Sequence, residues 1–453
     1  MIKHQVFRNV KVIGMHSAGK AIVAYKARRI YVDNAIPCEL VDIKVAKRQK
    51  GYVKGEVECV VKASENRANP FCKHFGQCGG CNWQHINYNY QLELKRLILQ
   101  NALQKYDIAC PSIPLPEASP QQLYYRNKTE YAFSVDNYGN ELLGFHLPER
   151  SDCVLDIEEC YLQPEPSRKI YNAAKQVARE LGYSFYNYAD NSGMLRSLTV
   201  RTATIGETGV IVGFAHCNYN DRVKYLTALQ TAVPEINSLY YAIFDKPDLK
   251  YTDIPYIHFP KTATHLSEKT NNLLFKISPK AFYQPNPLQA KNLYRQVLEY
   301  GNFKGGEQVV DLYTGIGTIA CYIAPKVGSV LGIEGSSEAI DDAQLNARIN
   351  NIANAGFITG DILETFTRSF LEDFGKIDVI ILDPPRSGTL IEIKKTILAA
   401  TPSKIIYVSC NPVSLAFDLK QLCENHYQVT AIQPFDMFPH THHVETVVLL
   451  ERK

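Results

Sequence analysis

Gln308-Val309-Val310-Asp311-Leu312-Tyr313 runs into Thr314-Gly315-Ile316-Gly317-Thr318, and this stretch decides the fold. The apolar run reads as a buried strand, the two glycines as a tight turn, and the residues beyond them as the start of a helix. The same step repeats from Pro279 to the C-terminus. One helix opens at Pro287 and another covers 337–350. Further strands are predicted at 330–334, from 357, and at 377–382, 405–409, 429–434 and 444–450. Seven strands alternating with helices predict a doubly wound, Rossmann-like α/β domain over 281–453.

In such a sheet, ligands and chemistry gather at the C-terminal strand ends. Glu334 closes the second strand, where a carboxylate can accept both hydroxyls of a ribose. Asp361 closes the third, Asp383-Pro384-Pro385-Arg386 follows the fourth, and Ser409-Cys410-Asn411-Pro412 ends the fifth. The first turn lacks the third glycine of the dinucleotide fingerprint, so a pyrophosphate is not indicated. The set Asp311-x-Tyr-x-Gly-x-Gly, Glu334 and Asp361 resembles the S-adenosylmethionine site of the Rossmann-like methyltransferases. Cys410 reads either as a nucleophile or as a cysteine buried for packing.

At 453 residues the chain is too long for one core, and its apolar share of 45% is that of a globular protein. The polar start and the lack of any stretch of about 18 apolar residues predict a cytoplasmic protein without membrane association. In that compartment, twelve cysteines point to metal binding, catalysis or burial rather than to disulfides. Three of them, Cys72, Cys78 and Cys81, share ten residues with Gly76, Gly79 and Gly80. That loop suits an iron–sulfur cluster whose fourth thiolate is remote, with Cys110, Cys153 and Cys160 available. His74 and His85 keep a Cys/His zinc site open. Residues 66–280 read as a central α+β domain, with helices at 89–106 and 170–181.

Net charge is +3, but residues 1–62 hold thirteen Lys/Arg against five Asp/Glu. Short β-like runs at 21–25, 29–32, 40–45 and 55–60 predict a small OB-like barrel over 1–65. A basic barrel points to a nucleic-acid partner, with Tyr25, Tyr31 and Tyr52 each reading equally as a stacking partner for a base or as a core residue.

Cys410 and Glu445 together fit one reaction. Uracil C5 is a weak nucleophile until a cysteine adds to C6 and makes an enolate. After methylation a general base must remove the C5 proton, and elimination then frees the cysteine. With these residues on the page, the chain resembles the RNA uracil-5-methyltransferase family over nearly its full length, and its ribosomal branch most. The likeness rests on Cys72-x5-Cys78-Gly-Gly-Cys81, Tyr125-Arg126-Asn127, Phe282-Tyr283-Gln284-Pro285-Asn286, Asp311-Leu-Tyr-Thr-Gly-Ile-Gly, Asp383-Pro-Pro-Arg386, Ser409-Cys410-Asn411-Pro412 and Asp436-Met-Phe-Pro-His-Thr-x-His-Val-Glu445. It implies a TRAM-type barrel, Cys410 as nucleophile and Glu445 as base. It implies a cofactor pocket of Gln284, Tyr313, Gly315, Thr318, Glu334, Asp361 and Asp383. It also implies a [4Fe-4S] cluster on Cys72, Cys78, Cys81 and Cys160, and RNA contacts at Arg126 and Phe282. The expected partner is 23S rRNA, with tRNA as the alternative and no protein partner. A non-catalytic iron–sulfur RNA-binding protein is the reading of a different class.

Overall fold

The structure is a computed structural model and describes residues 5–25, 28–49, 52–148, 150–246, 249 and 254–453. Strands β1 (Val6–Met15), β2 (Ala21–Tyr25), β3 (Arg28–Val32), β4 (Leu40–Gln49) and β5 (Tyr52–Lys62) close a barrel in the order β1-β2-β3-β5-β4. Helix α1 (Tyr88–Lys105) follows. Strands β6 (Lys128–Val135), β7 (Glu141–Leu147), β8 (Arg150–Asp156), β9 (Leu195–Thr202), β10 (Thr208–Phe214), β11 (Ser238–Ile243) and β12 (Ile257–His258) form one sheet, ordered β12-β11-β10-β9-β6-β7-β8. Helices α2 (Ser167–Leu181) and α3 (Tyr219–Ala232) pack with it around Phe133, Leu198, Val212 and Tyr225. Strands β13 (Leu266–Thr270) and β14 (Leu273–Ile277) make a hairpin.

The β-α alternation then begins. Its elements are α4 (Pro287–Gly301), β15 (Gln308–Leu312), α5 (Thr318–Ile323), β16 (Ser329–Glu334), α6 (Ser337–Ile349), β17 (Ala355–Thr359), α7 (Ile362–Thr365), α8 (Arg368–Phe374) and β18 (Val379–Leu382). After them come α9 (Ile391–Ala400), β19 (Lys404–Ser409), α10 (Pro412–Cys423), β20 (Tyr427–Phe435) and β21 (Glu445–Arg452). All seven expected strands are present.

Two compact units result. The first holds Met1–Pro120, Glu299–Asn302 and Phe366–Lys453; the second holds Gln121–Leu298 and Phe303–Thr365. Within the second, β15, β16 and β17 run parallel in adjacent register. Within the first, β18 and β19 run parallel, and β21 lies antiparallel between β19 and β20.

Strands β1 and β8 escape the sequence pattern for physical reasons. In β1 the pairing with β4 shifts between Phe7 and Val10, around Asn9 at φ 53°, so apolar alternation breaks. Strand β8 is an edge strand with its first three residues exposed, and such edges carry charge instead of an apolar face. On the barrel, Tyr25 is stacked on Phe7 at 3.8 Å and Tyr31 meets His16 edge-on at 5.0 Å. The side chain of Tyr52 lies outside the described residues.

Helix α1 does two jobs inside the first unit. Leu94 and Ile98 complete the barrel core with Trp83 and Ile86. Gln91 and Lys95, also buried, grip the segment between β20 and β21. The Lys95 ammonium pairs with the buried Asp436 carboxylate and donates to the Phe438 carbonyl at 3.0 Å. The Tyr88 hydroxyl donates to Asp436 at 2.7 Å and accepts from the Ser119 N–H at 2.8 Å. The Gln91 carbonyl oxygen accepts the His440 N–H at 3.0 Å.

Removing one partner of such a pair strands a charge away from water. Lys95→Met should therefore cost about 3–5 kcal/mol in urea unfolding, and Lys95→Met with Asp436→Leu should recover most of it. A single-variant loss below about 1 kcal/mol would contradict this account.

Candidate active site

Strand β19 is buried along its length and delivers Cys410 just past its last residue. Asn411 then caps α10, its side chain accepting the Val413 N–H at 3.1 Å. The same side chain donates to the Arg386 carbonyl at 2.8 Å, which ties the Cys410 turn to the Asp383-Pro-Pro-Arg386 turn after β18. Gly388 lets that turn close. Its φ is +82°, and a Cβ there would lie 2.6 Å from the Asp418 carboxylate. Ser409 pairs with Thr446 across β19 and β21. One step past that pair, antiparallel register sets Cys410 opposite Glu445, and directly opposed residues share a face.

The register has an electrostatic result. Glu445 is buried, and its carboxyl is pushed well above the usual range, first by burial and then by the charge of Asp383; Arg386 opposes the shift. The half-buried Cys410 thiol is pushed up to about 12 by burial, Glu445 and Asp383, with Arg386 again opposing. Three acidic groups share one neighbourhood with one nearby cation, so they do not all ionise together. Arg386 also lies 3.0 Å from His443, on the segment leading into Glu445.

In the second unit, three expected cofactor residues converge on the turn after β15. The half-buried Glu334 carboxylate accepts the Gly315 N–H at 3.3 Å and the Ser336 N–H at 3.0 Å. Tyr313 has φ 66° and Gly315 φ 55°, and a Cβ built at Gly315 would meet nothing within 4 Å. The turn is thus an open backbone cradle beside a fixed carboxylate. Thr318 opens α5. Asp361 is exposed and its carboxylate accepts the Leu363 N–H at 2.8 Å. Gln284 is buried; its carbonyl accepts from the Asn127 side chain at 3.0 Å. Donor-binding chemistry of this kind, a ribose-accepting carboxylate at a strand end beside a glycine turn, fits an adenosyl group.

Arg126 and Phe282 differ as RNA candidates. Phe282 is 67% exposed. Arg126 is half-buried and its Nε donates to the Lys128 carbonyl at 2.9 Å, so part of its guanidinium holds its own chain.

The cysteine loop is folded by Gly76 at φ 83° and Gly79 at φ 71°, and none of its thiols is in a disulfide. Among the described residues, however, no three His, Cys, Asp or Glu side chains form a metal-holding group. Cys72, Cys78 and Cys81 belong to the first unit and Cys160 to the second. The loop's far end has a different attachment: the Asn82 and Trp83 N–H groups donate to the His440 carbonyl at 3.1 and 2.9 Å.

Sequence reasoning passed over Lys95, Gln91 and Asn82, the side chains that hold the segment before Glu445. Lys95 left a signal, since it sits at helical spacing with Gln91, Leu92, Ile98 and Leu99 on the buried face of α1.

Comparison with known proteins gives a consistent result. The family described as tRNA (uracil-5-)-methyltransferase matches residues 256–453. An uncharacterized RNA methyltransferase of Bacteroides thetaiotaomicron is 41% identical over 96% of this chain and 100% of its own. One from Porphyromonas gingivalis is 36% identical over 98% of this chain and 99% of its own. Among solved structures, the tRNA (uracil-54, C5)-methyltransferase of Pyrococcus abyssi, in complex with S-adenosyl-L-homocysteine, superposes with a TM-score of 0.77. It is 28% identical and covers 98% of this chain and 100% of its own.

The raised thiol pKa sets the reactivity of Cys410 in the free enzyme. Only the thiolate reacts with iodoacetamide, and its fraction grows tenfold per pH unit below the pKa. Peptide mapping should show Cys410 alkylation accelerating by about tenfold per unit from pH 7 to 10. A plateau below pH 9 would mean that the neighbouring acids do not raise this thiol.

Proposed function

This chain belongs to the RNA uracil-5-methyltransferase family, and we propose that it transfers a methyl group from S-adenosylmethionine to C5 of a uridine in RNA. The observation that carries the reading is the grouping of Cys410, Asp383 and Glu445, with thiol and carboxyl each raised first by burial and then by the acids around it. Glu334, Gly315, Tyr313, Thr318, Asp361, Gln284 and Asp383 would hold the donor, which supplies an electrophilic methyl sulfonium when bound.

The residues then divide the work. The Cys410 thiolate adds to C6, and the charge that leaves sulfur becomes the uracil enolate. That enolate attacks the methyl group through C5, so the C5–CH3 bond forms as the S–CH3 bond breaks, and its electron pair stays on the departing sulfur of S-adenosylhomocysteine. The Glu445 carboxylate takes the C5 proton. The electrons of that C–H bond restore C5=C6, and the thiolate leaves. The environment of Glu445 suits this final step. A carboxylate beside Asp383, out of water, has a high affinity for a proton and is a stronger base than an exposed one. Arg386 moderates the same field for both groups. The uracil must leave any base stack to reach the thiol, so the substrate is an unstacked loop or single strand.

Within RNA, ribosomal RNA is the first reading, because the basic barrel and the cysteine loop accompany the catalytic motifs. A tRNA is the second, favoured by the full-length likeness to a tRNA (uracil-54, C5)-methyltransferase. The donor chemistry of Cys72, Cys78 and Cys81 suits thiolate ligation of an iron–sulfur cluster, but their observed arrangement does not, and no step passes through one.

Three measurements test the proposal. Cys410→Ala should abolish methyl transfer, and retained activity would sink the covalent mechanism. Glu445→Gln should lower kcat by about 10²–10⁴ and accumulate a protein–RNA adduct that survives denaturation. Turnover at the wild-type rate without adduct would remove Glu445 as the base. Mass mapping of rRNA and tRNA from cells with and without the gene assigns the RNA: loss of 5-methyluridine from 23S rRNA alone supports the first reading, and loss from tRNA alone the second.

A further inference from the structure

Helix α10 begins two residues after Cys410, and its outward face is unusual for a helix so close to a reacting centre. Val413 and Phe417 are 37% and 41% exposed and lie four residues apart, on one face. A single exposed apolar residue is ordinary. Phe417, however, is held in place. The Lys394 ammonium lies 4.9 Å from its centroid, and the Tyr106 ring meets it edge-on at 6.0 Å. Lys394 is itself buried and paired with Asp418, so the ring rests on a fixed cation.

Cations continue along the same seam, where α1 packs on α10. The Lys105 and Lys420 ammonium groups lie 5.5 and 5.9 Å from the Tyr106 centroid. The charge of Lys105 is also felt at His16 on the barrel, which meets Tyr31 edge-on. Rings and ammonium groups thus alternate from the barrel turn to Val413, three residues from the nucleophile. Asp107, Glu392 and Glu424 are exposed acids nearby in sequence, beside exposed Lys105, Lys395 and Lys420.

We propose that this seam binds the single strand of RNA flanking the target uridine. Bases stack on Phe417 and Tyr106, and phosphates pair with Lys105 and Lys420. The assignment rests on the RNA reading above and says where the polymer runs once its reacting base is engaged. The ring–ammonium contacts decide the occupant: aromatic platforms interleaved with lysines match a polyanion with flat bases. A protein helix would place its apolar side chains against those ammonium groups and desolvate them without compensation. Phe417 is pre-ordered by Lys394 and Tyr106, so stacking on it costs little side-chain entropy.

The test uses the full-length protein and a fluorescein-labelled uridine oligonucleotide of about twelve nucleotides, within the range of single-strand footprints. Losing one stacked base costs about 1–3 kcal/mol, so Phe417→Ala should weaken binding by about 5- to 150-fold. Phe417→Trp should retain binding. Lys420→Gln should lower the slope of log affinity against log salt by about 0.7. Tyr138→Ala, at a 90% exposed aromatic in the other unit, is the control and should bind as the wild type does. Thermal midpoints of all variants should match the wild type.

Methyl transfer by the wild type to RNA from cells lacking the gene separates the two claims. If the wild type methylates and binds, but Phe417→Ala and Lys420→Gln keep its affinity and salt slope, the seam is wrong and the RNA reading stands. If the wild type neither methylates nor binds RNA, both fall.

Discussion

The buried ion pair between Lys95 and Asp436 is the constraint on which the first unit depends. Two charges out of water are tolerable only with good geometry and further hydrogen bonds. Tyr88 and the Phe438 carbonyl supply those bonds. The consequence is positional. Asp436 ends the approach from β20, Glu445 begins β21, and the residues between them have no regular structure of their own. That segment is held by α1 through Lys95 and Gln91, and by the Asn82–Trp83 backbone through the His440 carbonyl. His440, at φ 64°, is kept in a left-handed conformation that a free loop would seldom retain. The barrel reaches the same segment: a Cβ on Gly19 would lie 2.6 Å from the His442 ring, and the Trp83 indole donates to the Gly19 carbonyl at 3.0 Å. The barrel and α1 therefore help to place residues more than three hundred positions away.

A second constraint is electrostatic crowding. Cys410, Asp383 and Glu445 are each acidic, and burial removes the water that would separate their charges. The chain answers with Arg386, which lowers the pKa of both Cys410 and Glu445. Burial and the neighbouring acids raise the proton affinity of both Cys410 and Glu445. A thiol held neutral is protected from adventitious alkylation and oxidation, since both proceed through the thiolate. The same field makes Glu445 a good acceptor once its own proton has gone. A comparable effect appears in the second unit, where Asp311 is buried beside Glu334 and is pushed up to about 7. One of its oxygens accepts from the Thr314 hydroxyl at 2.6 Å, which locks the glycine turn from beneath.

Much of this was legible in the residues. The β-α alternation after Pro279, the strand-end acids and the α1 helix are periodic signals, and each falls within one or two residues of its observed place. Two of the strands that were missed had lost their period: β1 to a bulge at Asn9, β8 to its exposed edge. The cysteine loop shows the opposite failure. Its spacing is a strong ligand signal, yet spacing along a chain does not bring thiols together, and the described residues hold no converged group.

By itself the sequence determined the element types and the open α/β architecture, and it supplied the thiol and carboxylate on which the proposed uracil C5 chemistry rests. These follow from local rules: hydrophobic period, turn residues, and the reactivity of side chains. The tertiary structure alone decided which distant residues support that pair. The register of Ser409 on Thr446 sets Cys410 opposite Glu445, and Lys95 finds Asp436 across 341 positions. No local rule encodes such contacts, because burial and charge pairing depend on what the folded chain brings together from far apart.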